Sequence, residues 1–493
     1  MLGARDLAAK ERLDTHQKAL SINLDARRYG TFAEIGAGQE VVRWFFRVGG
    51  AAGTIAKSIS AYDMAVSDAI YGQTNRYVAR QRLESMLEYE HELNLKRLRE
   101  ARGDSTSFFA FADTVAAKSF KGTSECHGWM GVRFQAHPRD QDSQIIIHVR
   151  MLDAENALQQ EALGIVGVNL LYGAFFMHHD PDRLLESLLD NLTTQRIEID
   201  MVEFSGIEFR HVDNRVMSLK LVQLGLSGAA MFSPKGQVLQ PSEVLYKKPV
   251  LVERGSFRPV SNVNIDMLRC AREAFARSLG TEQGAEDIVE LAEITMHNLM
   301  ESGQIDYRDF LARADVLAAA GKTVLISDYF QYYRLAAYLR RLSNRPIAIT
   351  LGAASLLSLF DERYYTDLDG GILESFGRLF RNDLKLFVYP FLDPATQKLN
   401  TVDTLEVAPE LSKLYGYLVE RGCIQQLEGY DPECLKVFSR DVLERIRSGD
   451  PSWENLVPGA IADVIKRRGF FGYKRPPSPS PDEVSGARVE LEN

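Results

Sequence analysis

Gly49, Gly50 and Gly53 stand directly before Thr54, Lys57 and Ser58, with Arg47 just upstream. Backbone amides of a glycine-rich turn at a helix start can converge on phosphate oxygens, and a lysine and a hydroxyl complete such a cradle. The spacing departs from the Walker pattern, and no strand pattern precedes the neighbouring Gly36, Ala37 and Gly38, so the Rossmann fingerprint is not met either. The same small residues also suit close helix packing or a hinge. A second anion-binding candidate follows an apolar run at Pro249 to Glu253: Arg254, Gly255, Ser256 and Arg258. Loops at the carboxyl ends of strands are where α/β sheets bind ligands, and arginine forks suit phosphate or carboxylate.

Proton chemistry points elsewhere. His127 beside Cys126, His148 in an apolar run, and the pair His178 and His179 give the first half its titratable groups near neutrality. In an extended Gln144 to Met151, His148 shares a face with Ile146 and Arg150. One imidazole suffices for general acid or base work. A metal would need several ligands, and HxH, HExxH and CxxC spacings are absent. Hydrogen-bonded structural histidines account for the same residues. Asp328 ends a second β-like run ahead of Tyr329, Tyr332, Tyr333 and Arg334, where a carboxylate meets a ribose hydroxyl or caps a helix. Asp367 and Asp369, with Glu374 nearby, form the acidic group that would hold Mg2+, the one cofactor these residues suggest; acidic residues of a helix first turn read the same way. A GxSxG nucleophile elbow is absent.

The elements that must position these groups read as α/β. Ala8 to Tyr77 looks helical with glycine interruptions. Val78, Leu83, Met86, Leu87, Leu93, Leu95 and Leu98 continue a helix that ends at Gly103. Phe108 to Ala112, Trp129 to Phe134 and Gln144 to Met151 suggest a strand meander joined by Lys121 to Glu125 and His137 to Asp142. Ile165 to Phe176 suits either a strand or a helix packed through Gly164, Gly167 and Gly173. Asp180, Pro181 and Asp182 mark a helix start, and Ile197, Ile199 and Met201 alternate with Glu198 and Asp200 as in a half-buried strand. Beyond Pro259 come three expected helices, Ile265 to Leu279, Glu286 to Met300 and Tyr307 to Ala320. Lys322 to Ser327 and Pro346 to Leu351 then flank a helix as a βαβ unit with a parallel pair.

The expected organisation is a helical, glycine-containing region over residues 1–103, an α/β domain over 104–260, a helical and Rossmann-like α/β domain over 261–473, and a Pro/Ser-rich disordered tail over 474–493. The fold class is thus two-domain α/β, with a mixed sheet first and a helical plus βαβ second domain. Lys and Arg number 58 against 67 Asp and Glu, a net charge of −9 that gives no support to a nucleic-acid partner. The absence of long apolar runs and of an export-type start excludes a membrane helix, and 4 scattered cysteines fit a reducing, cytoplasmic setting.

Over nearly its whole length the chain resembles a widespread bacterial family of about this size. The likeness is carried by Tyr29 to Gln39, Gly49 to Ser58, Asp213 to Arg215 and Leu251 to Arg258. Members of that family carry the labels nicotinate-nucleotide adenylyltransferase and TonB-dependent receptor. A receptor barrel requires many alternating strands and an export signal, which the sequence lacks. The adenylyltransferase label implies an HxGH motif, which is absent; Ile326 to Arg334 faintly echoes its later Ser/Thr-rich motif, and the resemblance carries over no catalytic residue. The expectation is an enzyme for a nucleotide or other phosphorylated metabolite, by nucleotidyl transfer, in a homo-oligomer without membrane or nucleic-acid partners. The alternative is a non-catalytic homo-oligomeric scaffold or regulator.

Overall fold

The structure, a computed structural model, describes residues 12–117, 126–280, 287–301 and 303–474. The Lys121 to Glu125 joint and, beyond Lys474, the expected tail lie outside the described residues. The chain divides into two compact units, Met1–Val244 with Leu325–Phe330, and Leu245–Val324 with Gln331–Asn493.

The first unit begins with α1 (Thr15–Asn23), β1 (Arg28–Gly36), α2 (Val41–Val48), β2 (Ile55–Ile59), α3 (Met64–Tyr71) and α4 (Arg80–Arg102). It continues with β3 (Ser107–Ala116), β4 (His127–Phe134), β5 (Ser143–Met151), α5 (Asn156–Phe176), α6 (Pro181–Ser187), β6 (Ile197–Gly206) and α7 (Asn214–Gln223). The hairpin β7 (Ala229–Phe232) and β8 (Val238–Leu239) follows. One six-stranded sheet runs β2-β1-β3-β4-β5-β6. It is parallel across β2, β1 and β3, and antiparallel from β3 to β6, so the expected mixed sheet is present.

Where helices alone were expected before Tyr77, β1 and β2 supply two strands of this sheet. Gly30, Ala33, Glu34 and Gly36 hide the strand character of β1, because small and charged residues carry little β-signal. Gly30 is required there: a Cβ would lie 2.1 Å from the Phe109 carbonyl oxygen of the adjoining strand. On one face, α1, α2 and α5 cover Phe32, Phe109, Phe111, Val132 and Ile147. On the other, α4 lays Leu83, Met86 and Leu87 over Ala110, Ala112 and Ile146. The ambiguous Ile165 to Phe176 is helical, and a Cβ at Gly167 would meet Val41 of α2 at 2.3 Å, so its glycines serve close packing. Asp180 caps α6 with Pro181 at its first position, as read from sequence.

The second unit holds most of α8 (Pro241–Leu245)'s downstream chain: β9 (Val250–Arg254), α9 (Asn262–Leu279), β10 (Val289–Thr295), α10 (Met296–Leu299) and α11 (Tyr307–Ala319). After β11 (Thr323–Ser327), whose last three residues belong to the first unit, come α12 (Tyr332–Leu342), β12 (Ile347–Gly352), α13 (Ala353–Leu359), α14 (Gly371–Leu379) and β13 (Lys385–Tyr389). The short pair β14 (Phe391–Leu392) and β15 (Leu399–Asn400), α15 (Ser412–Glu420), β16 (Ile424–Gln426), α16 (Ser439–Ser448) and α17 (Gly459–Arg468) complete it. Strands β16, β13, β12, β9 and β10 lie side by side in that order, all parallel. β9, β12 and β13 are buried along nearly their whole length, as strands covered on both faces are.

Two expectations are corrected in this unit. Of the helix expected over Glu286 to Met300, whose first residue lies outside the described residues, Val289 to Thr295 is β10, whose glutamates at 290 and 293 mimic helical spacing. The β11 and β12 runs do not pair, because β12 has β13 on one side and β9 on the other. Among the described residues no helix is long and apolar enough to cross a membrane.

Candidate functional site

In the second unit, chain order reverses at β9: β10 lies on one side of it, and β12, β13 and β16 follow on the other. Ser256 emerges from the carboxyl end of β9 and borders a cavity of about 510 Å3, lined also by Pro394, Phe438, Ser439, Arg440 and Asp441. The last four open α16, whose N-cap position, Phe438, makes no side-chain cap bond. Amides of that first turn therefore lack the usual side-chain acceptor, and the helix dipole favours negative charge there. Phe438 and Pro394 give the cavity apolar surface, Ser256 and Ser439 give hydroxyls, and Arg440 is exposed.

The neighbouring arginines are held by carboxylates of their own unit. Arg254 binds Glu293 through two bonds, Nε to Oε2 at 2.8 Å and Nη2 to Oε1 at 2.9 Å, and stacks 4.2 Å from the Tyr332 ring centre. Burial opposes its charge, but Glu293 keeps the guanidinium pKa above its ordinary value. Arg258 is paired with Asp309 at 2.6 Å. The expected anion-binding forks of Arg254 and Arg258 are thus engaged internally, because two parallel strands bring Arg254 and Glu293 into register. Gly255 rests against the Phe257 ring, and Ser256 alone of this segment lines the cavity.

The glycine-rich segment of the first unit is corrected likewise. Gly49 and Gly50, both at positive φ, follow the C-terminal end of α2 and lead through a single 3-10 turn, Ala51–Gly53, into β2, so no α-helix N-terminus is offered to a phosphate. Gly53 ends a short turn, and Thr54 is buried with its hydroxyl on the Asn23 carbonyl. Lys57 Nζ lies 2.5 Å from Glu90, whose carboxylate is fully buried, while Ser58 is exposed on β2. Lys57 and Arg254 belong to different units.

Asp328 is exposed in the loop after β11 and does not cap α12, whose N-cap is Gln331. Asp367 faces Arg334 at 3.1 Å, and Glu374 accepts from the Gly370 amide and pairs with Arg378. Among the described residues no group of three or more His, Cys, Asp or Glu could hold a metal, and of the two carboxylates expected to bind Mg2+, Asp367 and Asp369, the first is already paired with Arg334.

His127 and His148 do come together. They stand on β4 and β5 with Nδ1 of His127 3.0 Å from Nε2 of His148, and Nδ1 of His148 lies 2.5 Å from Oδ1 of Asp200. Gln240 Nε2 donates to the other Asp200 oxygen at 3.1 Å. Trp129 packs against the His148 ring, centres 4.8 Å apart. Asp200 and Gln240 were not singled out from sequence. Asp200 sits at a β-bulge: His148 pairs with Met201 and Val149 with Ile199, so one residue of β6 is left over and its side chain turns to the histidines. Burial works against the Asp200 charge, but His148, Arg150 and Gln240 hold its carboxyl below the usual range. Burial and then His148 push His127 down to about 4.

No protein-family model matches this chain, and no curated protein matches it. Among solved structures it is similar over a third of its length to competence/damage inducible protein CihA from Agrobacterium tumefaciens, at 15% identity and TM-score 0.24, over 32% of this chain and 94% of that one. A competence-damaged protein (CinA) superfamily protein from Enterobacter cloacae gives 13% identity and TM-score 0.24 over 35% and 98%. Competence damage-inducible protein A from Klebsiella pneumoniae gives 14% and 0.23 over 33% and 94%.

Proposed function

We propose that this protein is an enzyme that binds a nucleotide or another phosphorylated metabolite in the cavity of its second unit. The observation that carries the reading is the position of that cavity: beside Ser256, at the carboxyl end of the strand where a parallel sheet reverses its order. Ligands of open α/β sheets bind at such a point. A phosphate would take the α16 first-turn amides, the Ser256 and Ser439 hydroxyls and the Arg440 guanidinium. Phe438 and Pro394 offer a planar group an apolar wall, and Asp441 is an acceptor for a sugar hydroxyl.

Thermal shift and calorimetry with mononucleotides, dinucleotides and sugar phosphates, each with and without Mg2+, test it. Specific binding raises the melting temperature with ligand concentration. Ser439→Glu places a carboxylate at the helix start and should abolish the shift, and Arg440→Ala should weaken it. No shift with any compound, or binding unchanged in both variants, overturns the reading. The family resemblance makes nucleotidyl transfer the first reaction to assay, by pyrophosphate release from nucleoside triphosphates.

A homo-oligomeric scaffold draws on a different observation. Tyr62, Met64 and Val66, beside and within α3, are 75%, 62% and 50% exposed, apolar side chains within five residues that a second copy would cover. A monomer by light scattering at micromolar concentration would remove it.

A further inference from the structure

We propose that Asp200, His148 and His127 form a proton relay that makes Nε2 of His127 a general base for a hydroxyl or water in the first unit. This goes beyond the second unit's ligand site and stands or fails without it.

With Asp200 ionised, the hydrogen bonds set the direction of each proton in the chain; the contact of His148 Nδ1 with Asp200, at 2.5 Å, is much shorter than its 3.3 Å contact with Gln240 Nε2. Gln240 Oε1 accepts from Ser242 Oγ and from the Glu243 amide, both at 2.7 Å, so its Nε2 must be the end that faces Asp200. An ionised Asp200 only accepts, and His148 Nδ1 therefore carries the hydrogen between them. With its hydrogen on Nδ1, the His148 ring presents a lone pair at Nε2, which accepts from His127 Nδ1. The tautomer left to His127 has its lone pair on Nε2. His148 is 1% exposed and Asp200 4%, whereas His127 is only half-buried, so the chain runs from the interior toward an accessible end.

When a hydroxyl group gives its proton to His127 Nε2, the Nδ1 proton of His127 passes to His148 Nε2. No bond is left short of a proton: the cation comes to rest on His148, directly against Asp200. Burial, His148, Arg76 and Arg150 disfavour charge on His127 itself, and Asp200 favours it. The relay thus keeps His127 neutral while giving the proton a compensated place one ring further in. Arg150 is paired with Glu198, which also accepts from Ser227, so its charge is already balanced. Trp129 fixes the His148 ring edge to face. His127 is the proposed catalytic residue; His148, Asp200 and Gln240 are positioning residues.

The probe is diethyl pyrocarbonate, which acylates unprotonated imidazole nitrogen, with the modified histidine located by mass spectrometry on the full chain. His127 should be acylated at a rate that stays flat as pH falls through the range where an ordinary histidine protonates. Asp200→Asn should slow it several-fold, because His148 is no longer held in one tautomer. A His127 that does not react, or one with an ordinary histidine pH profile and an unchanged rate in Asp200→Asn, overturns the relay. Should that variant not fold, nitrogen NMR of histidine-labelled wild type decides. Nδ1-protonated forms of both His127 and His148 are required, and an Nε2-protonated His127 rejects the proposal.

Discussion

The two units place their polar groups by different rules. In the second unit the parallel strands are covered on both faces and their middles are apolar; Glu253, Arg254, Ser256 and Glu293 gather at the carboxyl ends of β9 and β10. In the first unit titratable side chains lie on the broad faces of the sheet. Glu34 and Asp113 are register partners on β1 and β3, and His148 and Asp200 are on β5 and β6. Full coverage by crossover helices drives chemistry to the rim of a parallel sheet. Antiparallel strands with a bulge can carry it inside.

The contrast can be broken most forcefully at its ion pairs. Arg254→Ala leaves Glu293, which is 0% exposed, without its two charged bonds, and should cost about 3–5 kcal/mol by urea denaturation. Lys57→Ala in the first unit should cost less, about 1–3 kcal/mol, because the Tyr71 hydroxyl still binds the other Glu90 oxygen at 2.9 Å. Equal or reversed losses would show that the rim of the second unit is no more demanding than the face of the first.

A methyl group sharpens the comparison inside the first unit. A Cβ on Gly38 would lie 1.8 Å from Asp113 Oδ1, so Gly38→Ala should destabilise by about 1–3 kcal/mol. Asp113→Ala in the same chain should recover most of that, a coupling measured by a double-mutant cycle.

Protonation gives a gentler test in both units. Burial raises Glu253 from 4.5 to about 8. Glu34 is also raised, by burial and despite the Val41 and Val42 amides, and Asp113 rises with it through burial and the Glu34 charge. Raised carboxyls hold protons that the unfolded chain releases, so their stabilisation is complete below the unfolded value and is lost as pH rises through the folded one. Denaturant midpoints should fall between pH 4.5 and 8, and Glu253→Gln and Glu34→Gln should each flatten that fall. An unchanged slope in Glu253→Gln would mean the rim carboxyl is already ionised. The smallest effect belongs to the exposed Arg363, 87% exposed beside Asp361, where Arg363→Ala should leave the melting temperature unchanged.

Much of the fold is legible in the chain. The strands at Trp129 to Phe134 and Gln144 to Met151, the helix that ends at Gly103 and the Asp180 cap follow from apolar period and cap chemistry. The site is half legible. His127 and His148 stand out by type, but Asp200 alternates with isoleucines as an outward-facing residue would, and only the pairing of β6 with β5 shows that the face opposite those isoleucines carries His148 and Arg150. Arg254 and Lys57 look like free cations in sequence, because their carboxylates, Glu293 and Glu90, are 39 and 33 positions away.

The amino acids alone determined an α/β chain with one mixed sheet, since apolar alternation and turn chemistry act within a few residues. Which strands lie side by side, and which charges find partners, was decided by the tertiary structure. Parallel pairing joins residues far apart in the chain, and burial makes an unpaired charge too costly to leave.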